Sequence, residues 1–171
     1  LEEVGVETER GFVKIDDCTQ TSVANIFAIG DITGKIQLAH VATAQGMVAA
    51  ANCANRTATI NYDIVPSCIY TSPEIAFVGL SEEKANEAGY DVEIGSFNVA
   101  TNGKAMVMGE TMGLVKIVAQ KQTGRILGAQ IFAPRATDMI GEIAVAMKMR
   151  GTIADISNTD RKSTRLNSSH I

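Results

Sequence analysis

The densest chemistry in this sequence lies in Thr21-Ser22-Val23-Ala24-Asn25-Ile26-Phe27-Ala28-Ile29-Gly30-Asp31. An apolar run, Ile26-Phe27-Ala28-Ile29, stops at Gly30-Asp31. Glycine there lets the backbone approach a ligand closely, and the aspartate then presents a carboxylate acceptor. Such a carboxylate suits the hydroxyls of a sugar or sugar-alcohol chain. Six residues beyond Asp31, Gln37-Leu38-Ala39-His40 opens an Ala-rich helix. Its unpaired N–H groups and positive dipole end suit an electron-rich ligand oxygen. Spacing alone fits a plainer role equally well, a strand–helix turn in which Asp31 caps the helix.

Other reactive side chains point to less. His40 has no Cys or His neighbour, and His170 is the only other histidine, so no metal ligand set is expected. Cys18, Cys53 and Cys68 are an odd, widely spaced set, unlike a disulfide framework or a C-x-x-C motif. Each is expected to be a small buried or half-buried side chain in a reduced compartment. Met106, Met108, Met112, Met139, Met147 and Met149 are expected to pack in the core and at interfaces.

The elements that must position these residues follow from periodicity. Residues 11–15 and 26–29 read as strands, and 38–52 as a helix buried on most sides. A linker runs over residues 55–63, and Pro66 opens a new pattern. Strands are expected at 68–70, 75–78 and 92–97, and a hairpin at 114–119 and 126–132 turning on Gln122-Thr123-Gly124. Ser81 caps a helix that Gly89 ends, and residues 136–149 form a second helix stopped by Gly151. This order is α+β, with a mainly antiparallel sheet in the second part.

Composition narrows the partners. The chain has 171 residues, 46% hydrophobic and 20% charged, with 15 Lys and Arg against 19 Asp and Glu, a net charge of -4. An acidic chain without a basic patch is a poor match for nucleic acid or an anionic membrane surface. No apolar run is long enough to span a bilayer. There is no signal peptide and no initiator Met, so the chain is expected to begin inside a longer protein in the cytoplasm, or in the mitochondrial matrix of a eukaryote. Residues 160–171 change abruptly to Asp-Arg-Lys-Ser-Thr-Arg-Leu-Asn-Ser-Ser-His-Ile. They read as the translation of a common sequencing-library adapter, so a non-native read-through tail is expected there.

The run 21–31, followed by Leu38-Ala39-His40, resembles the second FAD-binding motif of the pyridine nucleotide-disulfide oxidoreductases. The likeness continues through Ile69-Tyr70-Thr71-Ser72-Pro73-Glu74-Ile75-Ala76-Phe77-Val78-Gly79-Leu80-Ser81-Glu82, then Thr101-Asn102-Gly103-Lys104-Ala105 and Met108-Gly109-Glu110-Thr111. It ends with Gly113-Leu114-Val115-Lys116-Ile117 and Arg125-Ile126-Leu127-Gly128-Ala129, so it covers about residues 1–159. The resemblance implies that residues 1–60 end an FAD-binding α/β region and residues 61–159 form an α+β dimerisation domain. It further implies that Gly30 and Asp31 meet the ribitol of FAD, and that Gln37, Leu38, Ala39 and His40 lie along its isoalloxazine. The implied activity is oxidation of protein-bound dihydrolipoamide with reduction of NAD. The implied partners are a second copy, through residues 61–159, and the lipoyl domain of a 2-oxo acid dehydrogenase complex. Other members, such as mercuric reductase, glutathione reductase or a soluble transhydrogenase, share the motifs, and a non-catalytic dimerisation module is the remaining alternative. The family's G-x-G-x-x-G fingerprint, its C-x-x-x-x-C pair and its H-x-H-P-T motif do not occur in the sequence. Ser163 stands where the catalytic histidine would fall, so no residue here takes a catalytic role and the chain alone is expected to be inactive.

Overall fold

A computed structural model describes residues 1–160. The expectations for the tail beyond Asp160, including Ser163 and His170, lie outside the described residues. The chain divides into two compact units, Leu1–Tyr62 and the residues from Asp63 onward.

In the first unit, β1 (Thr8–Glu9) and β2 (Phe12–Val13) form a small antiparallel hairpin. Its two turn residues, Arg10 and Gly11, both have positive φ, at 52° and 87°, as a two-residue hairpin turn demands. The strand expected over 11–15 is thus confined to Phe12–Val13, because Gly11 belongs to the turn. The run 26–29 is not a strand. Phe27 makes a single bridge to Gln20, and Asn25 turns the chain between them at φ 67°. Strand structure needs a neighbour along its length, and the unit offers one here for a single residue pair.

Helix α1 (Ala39–Cys53) matches the expected 38–52 to within one residue at each end. Its burial differs: only Val41 and Gln45 are buried, and Cys53 in the last turn is exposed. A helix apolar on every side would suit a large core. A unit of about sixty residues buries a smaller share of its surface and can cover one face only. Cys18 and Cys68 are half-buried, as expected.

The second unit is built on a five-stranded sheet of order β3-β4-β7-β6-β5, antiparallel at every pairing. Its strands are β3 (Ser67–Ile69), β4 (Glu74–Gly79), β5 (Val92–Asn98), β6 (Leu114–Gln120) and β7 (Ile126–Ala133). Helix α4 (Ala136–Lys148) lays Ile140, Ile143 and Met147 on one face, against Ala76, Val78, Ile117, Ala129 and Ile131. Side chains alternate along a strand, so Val118 turns to the other face and packs with Ala85 of α2 (Glu82–Glu87). A bulge between Val118 and Ala119 precedes the turn at Gly124, where φ is 68°.

The helix ends are set locally. Ser81 Oγ accepts the Lys84 N–H at 3.2 Å, and Gly89 leaves α2 at φ 82°, both as expected. The stop of α4 differs in detail, because Arg150 (φ 56°) is the left-handed residue and Gly151 follows it. Arg150 N–H donates to Met147 O at 3.0 Å and Gly151 N–H to Ala146 O at 2.8 Å, closing the helix end. Space at Gly151 is tight, since a Cβ there would lie 3.0 Å from the Ala146 oxygen. Two six-residue helices had no counterpart in the periodicity: α3 (Gly103–Met108), capped by Asn102, and α5 (Ile153–Asn158), opened by a Thr152–Asp155 capping box. Both are too short for an apolar repeat to register, and α3 begins on glycine, a poor helix former.

Candidate functional site

Gly30 has φ 79° and ψ -158°, a conformation essentially reserved for glycine. It leads into a single 3-10 turn, Asp31–Thr33, where Thr33 N–H donates to Gly30 O at 3.0 Å. Asp31 opens that turn with an exposed carboxylate that meets no cation or donor among the described residues.

A buried amide holds this loop. Gln45 of α1 is 1% exposed. Its Oε1 accepts the Gly30 N–H at 2.6 Å, and its Nε2 donates to Thr33 Oγ1 at 3.3 Å and to Tyr62 OH at 2.9 Å. Thr33 Oγ1 donates in turn to Gly30 O at 2.8 Å, which closes a ring of hydrogen bonds. Gly30 N–H can only donate, so the ring also fixes which end of the amide is oxygen. Seven residues on, Asn52 performs a similar task. Its Nδ2 donates to Cys18 O at 3.1 Å and Ala58 O at 2.8 Å, and its Oδ1 accepts from Ala58 N–H at 3.1 Å.

The other expected residues lie at the start of α1. Leu38 is the N-cap, in extended conformation and with no side-chain cap. The N–H groups of Val41 and Ala42 both donate to Leu38 O at 3.0 Å, whereas those of Ala39 and His40 meet no acceptor among the described residues. Gln37, Ala39 and His40 are exposed and Leu38 is half-buried. The structure thus joins Gly30 to α1 through Gln45, and no hydrogen bond joins Gly30 or Asp31 to Gln37, Leu38, Ala39 or His40. An unpartnered carboxylate and two free helix donors suit a ligand that carries hydroxyls and an electron-rich edge.

Gln45, Thr33 and Tyr62 were not singled out from the sequence. One signal was present: Val41, Gln45, Val48 and Asn52 share a helix face at spacings of three and four, with two amides on an otherwise apolar stripe.

The second unit offers no replacement for a redox pair. Burial pushes the Cys68 thiol up, and the nearby Glu74 charge adds to the effect, so Cys68 is a poor nucleophile. Among the described residues no group of His, Cys, Asp and Glu could hold a metal, and no helix is long and apolar enough to cross a membrane. A cavity of about 320 Å³ beside α4, lined by Phe97, Val99, Ile131, Met139 and Ile156, contains none of the expected site residues.

Residues 65–160 match the family model described as pyridine nucleotide-disulphide oxidoreductase, dimerisation domain, and residues 1–46 match the model described as pyridine nucleotide-disulphide oxidoreductase. The chain belongs to this family. It is 40% identical over 160 residues to the dihydrolipoyl dehydrogenase of Thermus scotoductus, covering 93% of this chain and 34% of that protein. Identity to the mitochondrial dihydrolipoyl dehydrogenase of Sus scrofa is 42% over 158 residues, or 92% of this chain and 31% of that one. The crystal structure of LpdA from Mycobacterium tuberculosis superposes with a TM-score of 0.88 at 30% identity, over 96% of this chain and 36% of that chain. For RclA from Escherichia coli, an HOCl-induced flavoprotein disulfide reductase, the TM-score is 0.84 at 26% identity, over 99% and 39%. The chain spans about a third of the length of the curated relatives it matches. The resemblance drawn from the motifs is borne out.

Proposed function

We propose that this chain supplies part of the flavin site and the subunit interface of an FAD-dependent dihydrolipoyl dehydrogenase, which oxidises protein-bound dihydrolipoamide and reduces NAD. One observation carries the flavin assignment: the Asp31 carboxylate and the Ala39 and His40 N–H groups are unpartnered, on a unit where Gln45 fixes the loop before Asp31. Asp31 accepts from ribitol hydroxyls, and Gly30, without a Cβ, lets the backbone come close. The free N–H groups of Ala39 and His40 would hold its pyrimidine edge, beside Gln37 and Leu38. When bound, FAD carries electrons between the substrate thiols and the nicotinamide. This chain's own residues bind and orient it, and none is assigned a proton transfer.

Residues 1–60 form the flavin-side portion and 61–159 the dimerisation portion, which pairs with a second copy. The lipoyl domain of a 2-oxo acid dehydrogenase complex delivers the substrate, in the cytoplasm or the mitochondrial matrix. The sequence has no C-x-x-x-x-C pair and no H-x-H-P-T motif, so the chain by itself is not expected to turn over.

A chimera tests the assignment. Residues 1–159 replace the matching segment of the Thermus scotoductus enzyme, and FAD content and turnover are measured. Bound FAD with NAD-dependent oxidation of dihydrolipoamide is expected. Failure to take up FAD in a folded chimera, or turnover of glutathione disulfide or mercuric ion instead, contradicts it.

A further inference from the structure

Gln45 lies in the first half of α1, among Ala, Val and Met side chains, and is 1% exposed. A primary amide in such a place is costly unless its polar atoms are bonded. Here the oxygen takes the Gly30 N–H and the nitrogen reaches both Thr33 Oγ1 and Tyr62 OH. Gly30 has no strand or helix ladder to fix it, only this ring: its N–H goes to Gln45 and its C=O receives Thr33 through both backbone and hydroxyl. The Asp31 backbone C=O accepts the Gly34 N–H at 3.1 Å within the same turn, and its carboxylate has no tie of its own among the described residues. The place of its carboxylate therefore follows Gly30, and Gly30 follows Gln45.

We infer that Gln45 is the positioning residue for Asp31, holding the Gly30–Asp31 peptide where the carboxylate can meet the ribitol hydroxyls. The inference rests on the flavin assignment of residues 30–40. Gln45 itself touches no ligand in this scheme. Its removal unpairs the Gly30 N–H and lets the loop take other conformations, so affinity drops while every ligand-contacting group remains. Tyr62, the last residue of the unit, supports the amide from the far side.

The experiment uses the full chain, with amide hydrogen exchange read at Gly30 and Thr33 and FAD affinity read by fluorescence titration. Wild type, Gln45→Leu, Gln45→Glu and Asp31→Ala are compared. Gln45→Leu is expected to speed Gly30 exchange and to weaken FAD, each by roughly ten-fold or more. Gln45→Glu keeps an oxygen for the Gly30 N–H and should retain most of its protection. Asp31→Ala should weaken FAD and leave Gly30 exchange unchanged. The inference is overturned if Gln45→Leu matches wild type in both readouts while Asp31→Ala loses affinity. If Gly30 exchange rises in Gln45→Leu but neither it nor Asp31→Ala alters FAD affinity, the flavin assignment fails, and the ligand role of Gln45 with it. Should Gln45→Leu lose protection throughout α1, Tyr62→Phe decides: faster exchange at Gly30 supports the inference, and unchanged exchange overturns it.

Discussion

The Glu74 carboxylate accepts the Thr137 backbone N–H at 2.9 Å and the Thr137 hydroxyl at 2.7 Å, so a strand residue closes the start of α4 from 63 positions away. The N-cap residue, Arg135, is left-handed and provides no side-chain cap. These bonds, the backbone one first, hold the Glu74 carboxyl below its ordinary range, with the Arg135 charge helping. A carboxyl lowered in the folded state contributes stability that is present above its unfolded pKa and is lost as pH falls through its folded one. Thermal stability should therefore fall on acidification below about pH 4.3. In Glu74→Gln that decline should be shallower, the remainder coming from groups such as Asp155, whose carboxyl is lowered by Thr152. Melting curves against pH for the two proteins check this, and superimposable profiles would contradict it. Asp31 is a carboxylate of the opposite kind, with no partner among the described residues. Its motif was visible in the sequence because Gly30 and Asp31 are adjacent. The Gln45 ring that holds it was not, since Gln45 is 12, 15 and 17 residues from its partners.

Between elements, the end of β4 comes close to β7. Gly79 pairs with Gly128, and a Cβ built on Gly128 would fall inside the backbone of Leu80. Gly128→Ala should therefore cost on the order of 1–3 kcal/mol. Gly89→Ala, where φ is positive but a Cβ meets nothing within 4 Å, should cost about 1 kcal/mol. Urea midpoints at equal m-value compare the two, and Gly128→Ala unfolding at the wild-type midpoint would be inconsistent with the crossing described. Legibility at this scale tracked locality. Ser81, the two acids after it and Gly89 lie in or beside one short helix, so its boundaries could be read directly. The hairpin of β6 and β7 was equally local, turning on Gly124. Burial of α1 was misjudged because composition says what a helix would like to bury and not what surrounds it. The run 26–29 failed as a strand for the same reason: its apolar residues fit a ladder, but its neighbours supply one bridge.

At the scale of the whole molecule, an apolar row crosses the second unit. Ile69, Ile75, Phe132 and Leu114 stand opposite one another on β3, β4, β7 and β6. Of these, Ile69, Phe132 and Leu114 are exposed, as is Phe77 on β4. Adjacent exposed apolar side chains across four strands are unfavourable in water and suit an interface. Stable obligate interfaces bury on the order of 2,000 Å² or more, so residues 61–159 are expected to self-associate. Analytical ultracentrifugation of that segment showing a soluble, folded monomer at tens of micromolar would count against pairing through this region.

On the function proposed above, a surface for pairing and half a flavin pocket are not expected to amount to redox catalysis. Thiol–disulfide chemistry needs an attacking thiolate and a partner sulfur beside it, and Cys18, Cys53 and Cys68 lie in a loop, at a helix end and in a strand. FAD held only through Asp31 and the start of α1 would lack the binding energy of its ADP half. The most direct measurement is flavin retention and NADH oxidation by the purified full chain mixed with FAD, NADH and lipoamide. Weak flavin retention with NADH oxidation no faster than in the protein-free control is the predicted result. Tight, stoichiometric flavin with turnover above that control would contradict it.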